Sequence, residues 1–131
     1  MASFTTEQIE NALTAKAAHL SAPDIRRIAD NRQAVERLID EFPAEWESAK
    51  EQASLLFQFI QAAPEQPSDA ELATLKLAAG ALIYLGDPLD IVPDDQEDGY
   101  EDDAAVVELA SQKIRPALAA FCQAQGRELP E

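Results

Sequence analysis

Cysteine, histidine, glycine and basic side chains are all scarce in this chain, and each scarcity removes a class of protein. The one cysteine, Cys122, cannot form a disulfide within the chain, so a reducing compartment is natural and a disulfide scaffold is excluded. A lone cysteine of this kind is expected to be a small buried apolar residue rather than a nucleophile. The single histidine, His19, falls near the end of the first predicted helix, where a cationic ring favours the helix dipole, a role more natural there than catalysis. Four glycines, Gly80, Gly86, Gly99 and Gly126, are spread too thinly to make a phosphate-cradling loop. Ten Lys and Arg against 25 Asp and Glu give a net charge of −15, which argues against nucleic acid and anionic membrane surfaces, both bound through positive charge. The longest apolar run ends at Asp87 and contains Lys76, well short of the roughly 20 residues that span a bilayer, so no membrane insertion is expected. The opening Met1 to Glu7 has no basic region followed by an apolar one, and the expected location is cytoplasmic. No strand pattern, internal repeat or low-complexity linker is present.

What is there is a chain of 131 residues, 47% of them apolar, enough for one domain over residues 1–131 with a sizeable core. Its most distinctive stretch is residues 72–107. From Leu72 to Leu85 the apolar side chains fall on every side of a helical wheel, and Lys76 is the only charge. A helix apolar all round is a buried one. Ala78, Ala79, Gly80 and Ala81 leave little bulk at its middle and let neighbouring helices come close.

Around this central helix the spacing predicts four others, giving an all-α bundle of about five. Thr5 and Gln8 form a capping box for a first helix to about residue 20, with Ile9 and Leu13 on its apolar stripe. Ser21 opens a second, whose Ile25, Ile28, Val35, Leu38, Ile39 and Phe42 recur at helical spacing until Pro43 ends it. Its arginines Arg26, Arg32 and Arg37 stand four residues before Asp30, Glu36 and Glu41, the pattern of an ion-paired surface. A third helix begins near Ala44 and carries Trp46, Ala49, Ala53, Leu56, Phe57 and Ile60. Ser68 to Glu71 caps the central helix. A last helix from about Asp102 places Val106, Ala110, Ile114, Ala117 and Phe121 on one face; Pro116 kinks or splits it, and Gly126 ends it.

Between the central and last helices lies an acidic turn. Asp87, Asp90, Asp94, Asp95, Glu97, Asp98, Glu101, Asp102 and Asp103 are nine acids in 17 residues with no base among them. Apolar Leu89, Ile91 and Val92 are expected to pin the turn to the core, with the carboxylates facing outward. Unit charges 4 Å apart interact by about 1 kcal/mol in water and about 4 kcal/mol at an effective dielectric of 20, so this crowding needs a helix N-terminus, a bound cation or a basic partner to offset it. A calcium loop of the EF-hand type starting at Asp94 fails at its last ligand, where Ala105 stands in place of the bidentate Glu. A looser oxygen site for Ca²⁺ or Mg²⁺ would use Asp90, Asp94, Asp98, Asp102 and Asp103. The plainer reading is a solvated turn in which Asp98, Asp102 or Asp103 caps the last helix.

The run Tyr84-Leu-Gly-Asp-Pro88-Leu-Asp90-Ile-Val-Pro93-Asp94, followed by Gly99-Tyr-Glu-Asp102-Asp103, resembles the core motif of the YkvA-like domain of unknown function, found in small bacterial proteins. The family usually carries Ser where this chain has Asp87, and an apolar segment where it has Asp95-Gln-Glu-Asp98. The resemblance implies a helical fold and marks this turn as the site; it brings no established activity. The function expected from these observations is a non-enzymatic interaction module presenting Asp94, Asp95, Glu97 and Asp98 to a basic protein surface. The alternative is a divalent-metal-binding protein or metal-dependent enzyme using the same carboxylates.

Overall fold

The computed structural model of the chain describes residues 5–85 and 101–126. Among the described residues, seven α-helices form an all-α bundle: α1 (Thr6–Ala18), α2 (Ala22–Asp30), α3 (Arg32–Asp40), α4 (Glu47–Gln61), α5 (Asp69–Leu85), α6 (Glu101–Lys113) and α7 (Arg115–Ala124). A 3₁₀ turn, Ala44–Trp46, leads into α4. No strand occurs among the described residues.

Three of these helices begin with the same local device. Thr5 Oγ1 accepts from Gln8 N at 3.1 Å while Gln8 Oε1 accepts from Thr5 N at 2.7 Å. Ser21 and Asp24 repeat the exchange at 3.3 and 2.9 Å, and Ser68 and Glu71 at 3.1 and 2.9 Å. Each pairing satisfies two backbone donors that have no intrahelical acceptor, and each places a side chain of the right length three residues after the hydroxyl. Donation from the Ser21 backbone N–H and hydroxyl, joined by the neighbouring Arg27, holds the Asp24 carboxyl below its ordinary value.

The long second helix expected from periodicity is two. Asn31 leaves the helical region at φ −92°, ψ 56°, between Asp30 and Arg32, where two residues of low helix propensity stand together. The apolar repeat continues across the break, because Ile25 on α2 and Val35 and Ile39 on α3 are all buried. Periodicity alone therefore misses the bend. The last helix is also two. Pro116 has no N–H for an intrahelical bond and crowds the preceding turn, and the chain divides at Ile114 so that Pro116 falls in the first turn of α7. These two breaks turn the five expected helices into seven. Beyond α7, Gly126 takes φ 68°, a left-handed value natural to glycine after a helix.

Helix α5 is the centre of the bundle, packing against α1, α2, α3, α4 and α6. Leu75, Ala78, Ala79, Gly80, Ala81, Leu82, Tyr84 and Leu85 are all buried on it. The small middle brings α1 against it: a Cβ built on Gly80 would lie 3.1 Å from the Ala17 nitrogen and 3.2 Å from its Cα. Around α5 the core is filled by Leu13 of α1, Leu55, Leu56 and Ile60 of α4, Val106 and Val107 of α6, and Leu118 of α7.

Candidate functional site

Residues 86–100 connect α5 to α6, and most of the acidic turn falls on them. Asp90, Asp94, Asp95, Glu97 and Asp98, which supply all the expected partner-facing carboxylates and three of the five expected metal ligands, lie outside the described residues. What the structure describes is the ground on either side, the end of α5 and the start of α6.

There it departs from the outward-facing, solvated turn. Asp102 and Asp103, the other two expected ligands, are 0% and 2% exposed. They also stand inside the first turn of α6 rather than ahead of it as caps. Tyr84, the penultimate residue of α5 and 2% exposed, donates its hydroxyl to Asp102 Oδ2 at 2.6 Å. That length is typical of a hydroxyl bonded to a charged carboxylate, among the stronger hydrogen bonds in proteins. Burying a carboxylate costs several kcal/mol unless bonds and favourable dipoles offset the loss of water. The tyrosine hydroxyl supplies one such bond, and the N-terminal turn of α6 supplies the positive end of the helix dipole.

The position of these acids follows from the register of α6. Stepping back four residues along the apolar stripe from Ala110 and Val106 lands on Asp102, and stepping back four from Val107 lands on Asp103. Val106, Val107 and Ala110 are all 0% exposed. The two carboxylates therefore extend the buried face of the helix by one turn. Tyr84 is the residue whose role the sequence reading missed. Its signal was available: it carries the only hydroxyl between Leu75 and Leu85, and a buried tyrosine hydroxyl normally requires a partner.

The bond joins the two stems of the acidic connection. Tyr84 and Asp102 are 18 residues apart in sequence, and their contact holds the last turn of α5 to the first turn of α6 in the protein interior. Among the described residues no three His, Cys, Asp or Glu side chains gather into a group able to hold a metal.

The remaining candidates take structural positions. Cys122 is buried at 1% exposure, and His19 is the C-cap residue of α1. Arg32 pairs with Glu36 at 2.9 Å, as its spacing predicts, and Arg27 pairs with Asp24. Both arginines are more than two-thirds exposed, and ion pairs of that kind contribute little to stability. No described helix is long and apolar enough to cross a membrane. No family model, curated protein or solved structure matches the chain.

Proposed function

We propose that this is a non-enzymatic interaction module of the YkvA-like kind, working in the cytoplasm, whose acidic connection between α5 and α6 engages a basic protein surface. The observation that carries the reading is the charge sequence itself, nine acids and no base from Asp87 to Asp103. The Tyr84–Asp102 bond at the foot of that stretch supports it, because a segment anchored at both stems loses less conformational freedom on binding than one that is free at its base. Opposite charges speed encounter and fix orientation, and the effect is screened by salt. Affinity for a partner recovered by pulldown should therefore fall steeply between low and physiological salt, and joint replacement of Asp94, Asp95, Glu97 and Asp98 by their amides should slow association. A partner indifferent to both sinks the proposal.

A second reading is favoured by the burial of two adjacent carboxylates, Asp102 and Asp103. Hard divalent cations take oxygen ligands of this kind, so the pair would form the floor of a Ca²⁺ or Mg²⁺ site completed by Asp90, Asp94 and Asp98. A cation at 100 times its Kd stabilises the folded state by about 2.7 kcal/mol. Calcium or magnesium that leaves the melting temperature unchanged at matched ionic strength rules this reading out.

A further inference from the structure

Helix α7 is the least committed element of the bundle. It rests on α4 and α6 and stands off the central α5, because an open groove of about 420 Å³ separates Thr74 and Leu75 of α5 from Ala117, Ala120 and Phe121 of α7. Of its ten residues, Leu118 and Cys122, one turn apart, are the buried ones. Ala119, Ala120, Gln123 and Ala124 face solvent. Phe121 adds an edge-to-face contact with Phe59 of α4, ring centroids 5.7 Å apart, and both rings stay partly accessible. Among the described residues no side-chain hydrogen bond or ion pair ties α7 to another helix. An element with few buried side chains and no polar tie to its neighbours opens more readily than the domain as a whole.

A hinge is built into the entry to this helix. Ile114, between α6 and α7, leaves helical geometry at φ −112°, ψ 19°, and Pro116 has no N–H to bond back across the break and splint the two helices into one rod. Rotation at this residue swings α7 as a unit. Helices α2 and α3 also bury few side chains, but each stands between other helices in the chain and cannot leave without carrying them. As the last described helix, α7 departs without displacing any other described element. We propose that α7 is a hinged flap, which swings out about Ile114 while α1 to α6 stay folded and so uncovers Phe59 and the Cys122 thiol. Closed, the molecule hides its one thiol at 1% exposure. Open, it presents that thiol and an aromatic face that the closed form lacks. The device is separate from the acidic connection and holds whether or not that connection binds a basic partner.

The test is alkylation of the full chain by iodoacetamide, a small neutral probe, with Cys122 as the single target and intact mass as the readout. The urea-unfolded chain gives the rate of the bare thiol, and urea unfolding followed by circular dichroism gives the equilibrium for global opening. With α7 swinging alone, Cys122 should react about tenfold or more faster than global unfolding allows. The urea dependence of that rate should fall well below the global one, since a ten-residue helix exposes a small part of the surface. Leu13→Ala, in the α1 that packs on α5 and α6, should raise global opening about thirtyfold or more and leave the alkylation rate unchanged. Ile9→Val makes the same comparison at a gentler change of about two- to twelvefold, in a variant sure to fold. Leu118→Ala removes the flap's own anchor and should speed alkylation about thirtyfold or more, up to the bare-thiol rate. Alkylation that rises in proportion with Leu13→Ala and Ile9→Val, or that carries the full urea dependence of global unfolding, would make α7 part of one cooperative unit and overturn the proposal. Reaction of the parent at the bare-thiol rate would show α7 undocked at rest and overturn it as well.

Discussion

Replacing Tyr84 by Phe deletes one oxygen atom and tests whether the buried link at the foot of the acidic connection stabilises the fold. The parent bond is 2.6 Å long, its donor 2% and its acceptor residue 0% exposed. Phe fills nearly the same volume, so no cavity opens and the perturbation is confined to the hydroxyl. Hydrogen bonds to charged groups contribute about 1.5–3 kcal/mol, and for a domain of this size each kcal/mol moves the melting temperature by about 3–5 °C. Tyr84→Phe should therefore lower the midpoint by about 5–15 °C in thermal unfolding followed by circular dichroism, with the native spectrum unchanged. Asp102→Asn keeps an acceptor oxygen but places a new N–H₂ group in the interior, so it should cost more than the few tenths of a kcal/mol expected of an exposed helix cap. In a double-mutant cycle the two changes should couple by about 1 kcal/mol or more, as groups in direct contact do. Loss of less than about 0.5 kcal/mol in Tyr84→Phe, or strictly additive behaviour with Asp102→Asn, would refute the argument that this bond fixes the two stems.

Gly80→Ala should fail to deliver the roughly 1 kcal/mol of helix propensity that the change gives in an open helix, because the new Cβ meets the Ala17 backbone at 3.1 Å; a clear rise in melting temperature would show that α1 yields freely. Leu56→Ala, at a fully buried position of α4, should cost about 2–5 kcal/mol and is checked by urea unfolding with an unchanged m-value. Asp24 has a depressed folded-state pKa, so its contribution is present above the ordinary aspartate range and is lost as pH falls through the depressed value. The stability gap between parent and Asp24→Ala should accordingly be level near neutrality and close in acid; a gap that widens as pH falls contradicts the assignment.

Helix content and the identity of the central element were legible because the relevant signals are local and agree with one another. Ser21 with Asp24, and Ser68 with Glu71, announce helix starts in four residues, and the all-round apolar wheel of Leu72 to Leu85 can be satisfied only by burial. The break at Asn31 was not legible for a physical reason. Ile25, Val35 and Ile39 are buried in one core on either side of the one-residue departure, so the apolar repeat reads the same across it. Only the low propensity of Asp30 and Asn31 hinted at it. At Pro116 the constraint is covalent and the division of the helix followed.

The carboxylates show where composition misleads. Counting nine acids in one stretch treats them as equivalent and assigns them all to solvent, whereas helical register separates them. Asp102 and Asp103 occupy the positions that Val106, Val107 and Ala110 continue, and those three are fully enclosed, so the backbone of α6 carries its first two aspartates inward along with them. Once inside, a carboxylate requires donors, and Tyr84, at the end of the helix packed alongside, is placed to give one. On the proposed reading, the charge left for a partner to offset is that of Asp87 to Glu101, while Asp102 and Asp103 are buried in the fold. Substitutions in the two groups should accordingly separate by assay: those at Asp102 and Asp103 in unfolding, those at Asp94, Asp95, Glu97 and Asp98 in association rate and salt dependence. Carboxylates of the second group that altered stability as strongly as the first would place the whole stretch in the core's service and remove the surface that the interaction reading needs.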